Sequence, residues 1–408
     1  GRNRRSAGEE ENLVLLEDLP APKKPGVLNE KTLLKRQQVF GFTQEDLKVV
    51  MKPMVESGEE ATGSMGAHNP IAVLSERPQP LFHYFHQLFA QVTNPPVDAI
   101  REEIVMAENV YLGSEQNLLD ETPEHARRLR LPRPILSNKE LAQIAEVHRA
   151  GLKAKTLRTV FPVADGPDGL DAAMTRLFAE ADQAVSEDAN ILILSDREVG
   201  DQKAPIPSLL ACSGLHHHLI RQGTRTRVSL VLETGEARAM HHFAVLIGYG
   251  ANAVNPYLAI ETIEDELKKG HYEGTLDLDH AVKNYIKATR KGLFKIISKM
   301  GIATIQSYCG AQIFEAVGLG KEVIEKYFTA TPSRIGGMDI RTIGEETLRR
   351  HRVAYPAHEP SAEILDEGGW FHWRKWSEFH QINPEVIATL QHAVRTGDYE
   401  LFKRYSRQ

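Results

Sequence analysis

The sequence predicts an α/β fold: a parallel sheet built from β-α units, either an open sheet or a partial barrel, preceded by an N-terminal helical subdomain. Three observations predict it. From about Gly151 onward, short apolar runs alternate with amphipathic segments, giving roughly five β-α units. One of these runs, Ile191-Leu192-Ile193-Leu194, is wholly apolar, the pattern of a strand buried on both faces. Before Gly151 the apolar spacing is mainly helical.

Residues 1–26 are charged and proline-rich and read as a linker, with one apolar patch, Leu13-Val14-Leu15-Leu16, as a docking strand. The helical subdomain spans 27–150. Short helices are expected over Glu30–Gln38 and Gln44–Met51, the second capped by Thr43. Pro80 opens a further helix whose apolar face is Leu81, Tyr84, Phe85, Leu88 and Phe89, and Thr93-Asn94-Pro95-Pro96 stops it. Another runs from Val97 to Asn109. Ser137 and Glu140 form a capping box for a helix through Val147.

The α/β core spans 151–335. Strands are expected at Leu157–Phe161, Ile191–Leu194, Val228–Leu232, Ala253–Leu258 and Ile302–Ile305. Helices fall at Leu170–Val185, Pro207–Arg221, Met240–Gly248 and His280–Met300. Residues 336–408 form a connecting segment of helices and loops that carries Trp370, Trp373 and Trp376, read as a surface meant to meet neighbouring domains.

Bulk properties narrow the function. The chain has 408 residues, 41% hydrophobic and 25% charged, as in ordinary soluble proteins. Its net charge of -6 argues against nucleic acid as a partner. No run of about 18 apolar residues exists, so no membrane span is expected. The two cysteines, Cys212 and Cys309, make no disulfide framework and fit a reducing cytoplasm.

In parallel α/β folds, ligands gather where the strands end. The polar residues there are Ser195-Asp196-Arg197, Glu233, Asn255 and Gln306-Ser307-Tyr308, with Asp196, Glu233, Asn255 and Ser307 as the candidates. The competing reading, favoured without a metal or phosphate motif, is that they cap helices and pair with one another. Metal binding is disfavoured. Neighbours in His216-His217-His218 point about 100° apart on a helix, and their place near its end suits imidazolium. Gly248-Tyr249-Gly250 lacks the third glycine of a dinucleotide fingerprint and reads as a helix end. Cys309, if it opens a helix at Gly310, would have a lowered pKa. With no partner base in view, a structural role is read. Cys212 reads as core, and Gly336-Gly337 as a turn.

Longer words, read in order, carry more. Gln87-Leu88-Phe89-Ala90-Gln91-Val92-Thr93-Asn94-Pro95-Pro96-Val97-Asp98, Glu121-Thr122-Pro123-Glu124-His125, Gly248 to Leu258, Ser298-Lys299-Met300-Gly301-Ile302 and Thr331-Pro332-Ser333-Arg334-Ile335-Gly336-Gly337 follow one another along the chain. This order resembles the large subunit of bacterial-type glutamate synthase, from about Glu11 to Tyr405. The resemblance implies a parent with an N-terminal amidotransferase domain, an FMN barrel with an iron–sulfur cluster, and a connecting region between them that matches this chain. It implies no catalytic, flavin, cluster or metal residue in the chain itself, which is expected to be inert alone. Thr93 and Asn94 match a family segment close to the ammonia passage; a simple helix-ending turn is the equal alternative. The expected partners are the amidotransferase and FMN-binding domains, with a small reductase subunit or ferredoxin as electron donor. Two rival readings are a free-standing α/β enzyme working at the strand ends and a non-catalytic docking partner of a flavin subunit.

Overall fold

The computed structural model describes residues 13–22, 30–63, 68–88, 98–117, 119–120, 122–149, 151–311, 313–357 and 362–408. Its centre is a sheet of four parallel strands, β1 (Leu152–Arg158), β2 (Ile191–Ser195), β3 (Ser229–Glu233) and β4 (Ala253–Asn255), hydrogen-bonded in chain order. His148–Arg149 adds an antiparallel edge beside β1. The connecting helices are α1 (Gly169–Ser186), α2 (Ser208–Arg221) and α3 (Met240–Gly248), followed by α4 (Tyr257–Lys268) and α5 (Leu278–Lys299). Because consecutive strands are neighbours, right-handed crossovers put α1 to α3 on one face, as in a barrel. The sheet stays open among the described residues. Past β4 it continues only as a bridge between Val254 and Ile135.

Sequence explains most of these elements. All of β2 is buried, as its unbroken apolar run requires. In α1, Leu170, Ala173, Met174, Leu177 and Ala181 line one buried stripe. Asp277 caps α5, its side chain accepting from the His280 N–H at 2.7 Å. The Ser137–Glu140 box forms as read and opens the helix Asn138–Ala145. Thr43 and Asp46 exchange hydrogen bonds at the start of helix 44–57. The apolar N-terminal patch does dock as a strand, Val14–Leu15 lying parallel to Leu129–Arg130.

Several expectations change. The helix expected from Pro80 is a single tight turn, Leu81–Tyr84, followed by an extended strand, Phe85–Gln87. The strand pairs antiparallel with β5 (Phe314–Leu319), which pairs on its other side with β6 (Ser333–Met338). A partner more than two hundred residues away thus overrides the local period. Gly336 and Gly337 lie inside β6 rather than in a turn. The helix expected over Val97–Asn109 is shorter, Ala99–Val105, and its first expected residue lies outside the described set. The strand expected at Leu157–Phe161 is two strands. β1 ends at Arg158, and Val160–Pro162 turns away to pair with Lys203–Pro205. Ile302–Ile305 forms no strand: Thr304 caps a one-turn helix, Ile305–Tyr308. The strand expected over Ala253–Leu258 stops at Asn255, and α4, which was not foreseen, begins two residues on.

The C-terminal segment is fastened by an internal carboxylate. Glu45 is buried, and its Oε2 accepts from the backbone N–H groups of Gly369, Trp370 and Phe371 at 3.0, 2.7 and 3.0 Å, while Oε1 accepts from His372 at 2.8 Å. Gly368 and Gly369 take φ of 95° and 88°, which turns these donors to one side. Replacing Glu45 by glutamine sets an amide NH2 against converging donors. A loss of about 2–3 kcal/mol is expected in urea unfolding, with faster protease cleavage within 362–383. An unchanged midpoint would show that other contacts hold the segment.

Candidate functional site

The parallel register sets Ser195, Glu233 and Asn255 in one row, since Glu233 lies opposite both of the others. Asp196 and Arg197 follow directly. Ser195 Oγ donates to Glu233 Oε2 at 2.6 Å, and the Arg197 guanidinium clasps the same carboxylate through Nε. Arg197 Nη1 donates to Glu261 Oε1 on α4 at 2.7 Å, and the guanidinium lies 4.2 Å over the Tyr257 ring. Burial raises the pKa of the Glu261 carboxyl against the pull of Arg197.

Asp196 is fully buried, and both carboxylate oxygens accept from Gly235 N–H, at 3.0 and 3.1 Å. Burial pushes its pKa up to about 7, opposed by the Thr234 and Tyr257 hydroxyls and by Gly235 N–H. Glycine fits position 235 because a Cβ there would fall 2.4 Å from Phe40 Cε2. Asn255 faces the chain rather than a cavity. Its Nδ2 donates to Leu136 O and Asn138 Oδ1, both at 2.9 Å, clipping the 134–138 segment to the sheet edge.

Three of the four strand-end candidates therefore converge. The fourth does not: Ser307 is exposed in the one-turn helix, bonded to its Thr304 cap. Ser195, Arg197, Glu233 and Glu261 bond one another, whereas Asp196 bonds Gly235 N–H and Asn255 bonds the 134–138 segment; Asn255 Oδ1 and Glu261 Oε2 are buried without a partner among the described residues. Ser195 Oγ and Glu233 Oε2 form a hydroxyl–carboxylate pair, but Arg197 holds the same carboxylate, and the network braces β2, β3 and α4.

The histidines also serve the fold. Burial and Arg225, whose Nε donates to His216 Nδ1 at 2.9 Å, hold His216 at about 3. Burial and Arg221 hold His217 at about 4. Both are neutral, not the expected imidazolium, because desolvation outweighs the helix end. His218 reaches an acid, Asp182 Oδ2 at 2.9 Å, and stacks on Phe178. Among the described residues, no group of three or more His, Cys, Asp or Glu is placed to hold a metal ion. Gly248 ends α3, as read. Cys309 follows the short helix instead of opening one, and burial raises its thiol pKa rather than lowering it. Cys212 is core, its pKa likewise raised by burial. Thr93 and Asn94 lie outside the described residues.

One feature escaped the sequence reading. A cleft of about 940 Å³ is walled by Phe42, His83, Arg238, His242 and Trp370, drawn from four distant stretches. Its only sequence signal was the tryptophan cluster.

The family description "Glutamate synthase central domain" matches residues 35–320. The chain belongs to the glutamate synthase central-domain family. Its glutamate synthase relatives differ in the electron donor that their names carry. It is 45% identical over 98% of its length to the NADPH glutamate synthase large chain of Bacillus subtilis, of which it covers 26%. It is 41% identical over 96% to the NADH glutamate synthase of Schizosaccharomyces pombe, covering 18%. It is 40% identical over 92% to ferredoxin-dependent glutamate synthase 2 of a Synechocystis strain, covering 25%. The chain thus spans about a quarter or less of these relatives. Among solved structures, the flavin-binding domain of baker's yeast flavocytochrome b2 is similar over 77% of this chain and 100% of that one, at 9% identity and a TM-score of 0.36. That likeness adds nothing to the central-domain assignment.

The Asp196 carboxyl yields a pH prediction. Its folded-state value lies above the unfolded 3.8, so the folded chain holds this proton more tightly. The resulting stability is complete below about 4 and is lost as pH rises through about 7. Asp196→Asn should remove about 2–3 kcal/mol of the decline between pH 5 and 8, read from urea midpoints of both chains. Identical pH slopes would mean that Asp196 is ionised in the fold. Separately, Arg197→Met strands Glu233 and Glu261 together, and a loss of about 3–5 kcal/mol is expected in the same assay.

Proposed function

We propose that this chain is the connecting domain of a glutamate synthase, joining an amidotransferase domain to an FMN-binding domain and helping to form the passage by which ammonia travels between them. The observation that carries the reading is the 45% identity to a glutamate synthase large chain, held over 98% of this chain. The parent reaction would convert glutamine, 2-oxoglutarate and a reductant into two glutamates, with FMN and an iron–sulfur cluster held outside this chain. Electrons would come through a small reductase subunit or ferredoxin, in the cytoplasm.

Within that reading the chain divides into a linker (1–26), a mainly helical subdomain (27–150), an α/β core (151–335) and a segment leading toward the flavin domain (336–408). The strand-end groups support a bracing role over catalysis, since Asp196, Glu233 and Asn255 are engaged with the chain itself. No described helix is long and apolar enough to cross a membrane. The exposed rings of Phe371, Trp373, Trp376 and Phe379 suit a surface covered by a neighbouring domain. Thr93 and Asn94 would line the passage, where two following prolines fix the backbone.

Two measurements test the proposal. The purified chain should be colourless and leave the FMN spectrum unchanged in titration. A stoichiometric flavin complex would turn the strand-end residues into catalytic candidates. In a full-length parent, Thr93→Val should leave glutaminase activity intact while lowering the glutamate formed per glutamine hydrolysed. Unaltered coupling would remove Thr93 from the passage.

A further inference from the structure

The 940 Å³ cleft beside the C-terminal segment is large enough for a small molecule. Much of its wall is apolar or aromatic, and the carboxylates of its inner wall, Glu45, Asp46 and Glu378, are already paired. Glu45 holds the four backbone N–H groups described above. Asp46 is bound by Arg238 and Thr43, and Glu378 by Ser75 and Gln79.

Two neutral acceptors are left. The Gln79 amide is oriented by its neighbours: Nε2 donates to Glu378 Oε2 at 2.9 Å, so Oε1 is the atom 2.8 Å from His83 Nδ1. An amide oxygen only accepts, so Nδ1 carries the imidazole proton and Nε2 keeps its lone pair. Nε2 has no partner among the described residues, and the ring stacks on Trp370 at 4.6 Å between centroids. Burial, with His241, Arg238 and Arg350, holds the imidazole pKa down at about 3, so the lone pair persists at neutral pH. The second acceptor is Gln38 Oε1. Gln38 is 6% exposed and lines the cleft. Its Nε2 donates to Ala362 O at 2.9 Å, and its oxygen is buried without a partner.

We propose that this cleft binds a neutral, flat heteroaromatic molecule carrying an N–H donor, with His83 Nε2 as the acceptor that selects it. A cationic ligand would find these carboxylates already engaged, and an anionic one would face five acidic residues against three arginines. A purely apolar one would leave His83 Nε2 unsatisfied, a cost that an N–H donor relieves.

The test uses the whole chain and two probes, indole and 1-methylindole, which differ in the N–H donor. In saturation-transfer NMR, indole should receive magnetisation and 1-methylindole about fivefold less, the effect of one hydrogen bond. In His83→Phe, which keeps a ring against Trp370, the two probes should become equal. No transfer to indole, equal transfer to both in the unmodified chain, or a preference that survives His83→Phe would each overturn the proposal. The first comparison needs no variant, so it decides the matter even if His83→Phe folds poorly.

Discussion

All five residues of β2 are buried, and that double-sided burial sets the terms for the rest of the chain. A parallel strand in the middle of a sheet needs apolar cover above and below. The consecutive order of β1 to β4 sends the crossover helices to one face, so the crossovers alone cannot provide it. Further cover has to come from segments outside the β-α units. Leu129, Leu131, Ile135, Leu141 and Ile144, all before β1, are buried in the same core, and the helix Asn138–Ala145 packs against β1. The N-terminal region is therefore part of what lets the sheet exist.

The same geometry explains how the strand ends bond. In parallel sheets these positions bring polar groups together, and here they bring together Ser195, Asp196, Arg197, Glu233 and, through α4, Glu261. Arg197 faces two carboxylates, and Asp196 faces a backbone N–H with its proton affinity raised. Such a network resists breakage more than it adds net stability.

The C-terminal segment is organised differently. It owes its course to a carboxylate inserted into a run of backbone donors, the same device by which proteins capture free anions. Fixing Gly369 to His372 on Glu45 also fixes Trp370, which completes one wall of the cleft around His83. Beyond it, the helices Pro384–Thr396 and Tyr399–Tyr405 pack on each other and leave Val394, Tyr399 and Phe402 exposed.

By itself the sequence determined the β-α rhythm of the core, the apolar strand β2, the stripe of α1, the Ser137–Glu140 box and the family, because each is written in local order or in long runs of identical residues. It also named Asp196, Glu233 and Asn255 as neighbours, since strand ends in a parallel sheet must meet. Tertiary structure alone decided that Phe85–Gln87 is a strand, because its partner Phe314–Ala316 lies far along the chain. It decided that Ser307 stands apart, that His216 is neutral and that the Cys309 thiol is raised, because burial is a property of the packed chain and not of a motif. The cleft was hidden for the same reason: its walls come from separate stretches between Phe42 and Trp370, and only folding makes them one surface.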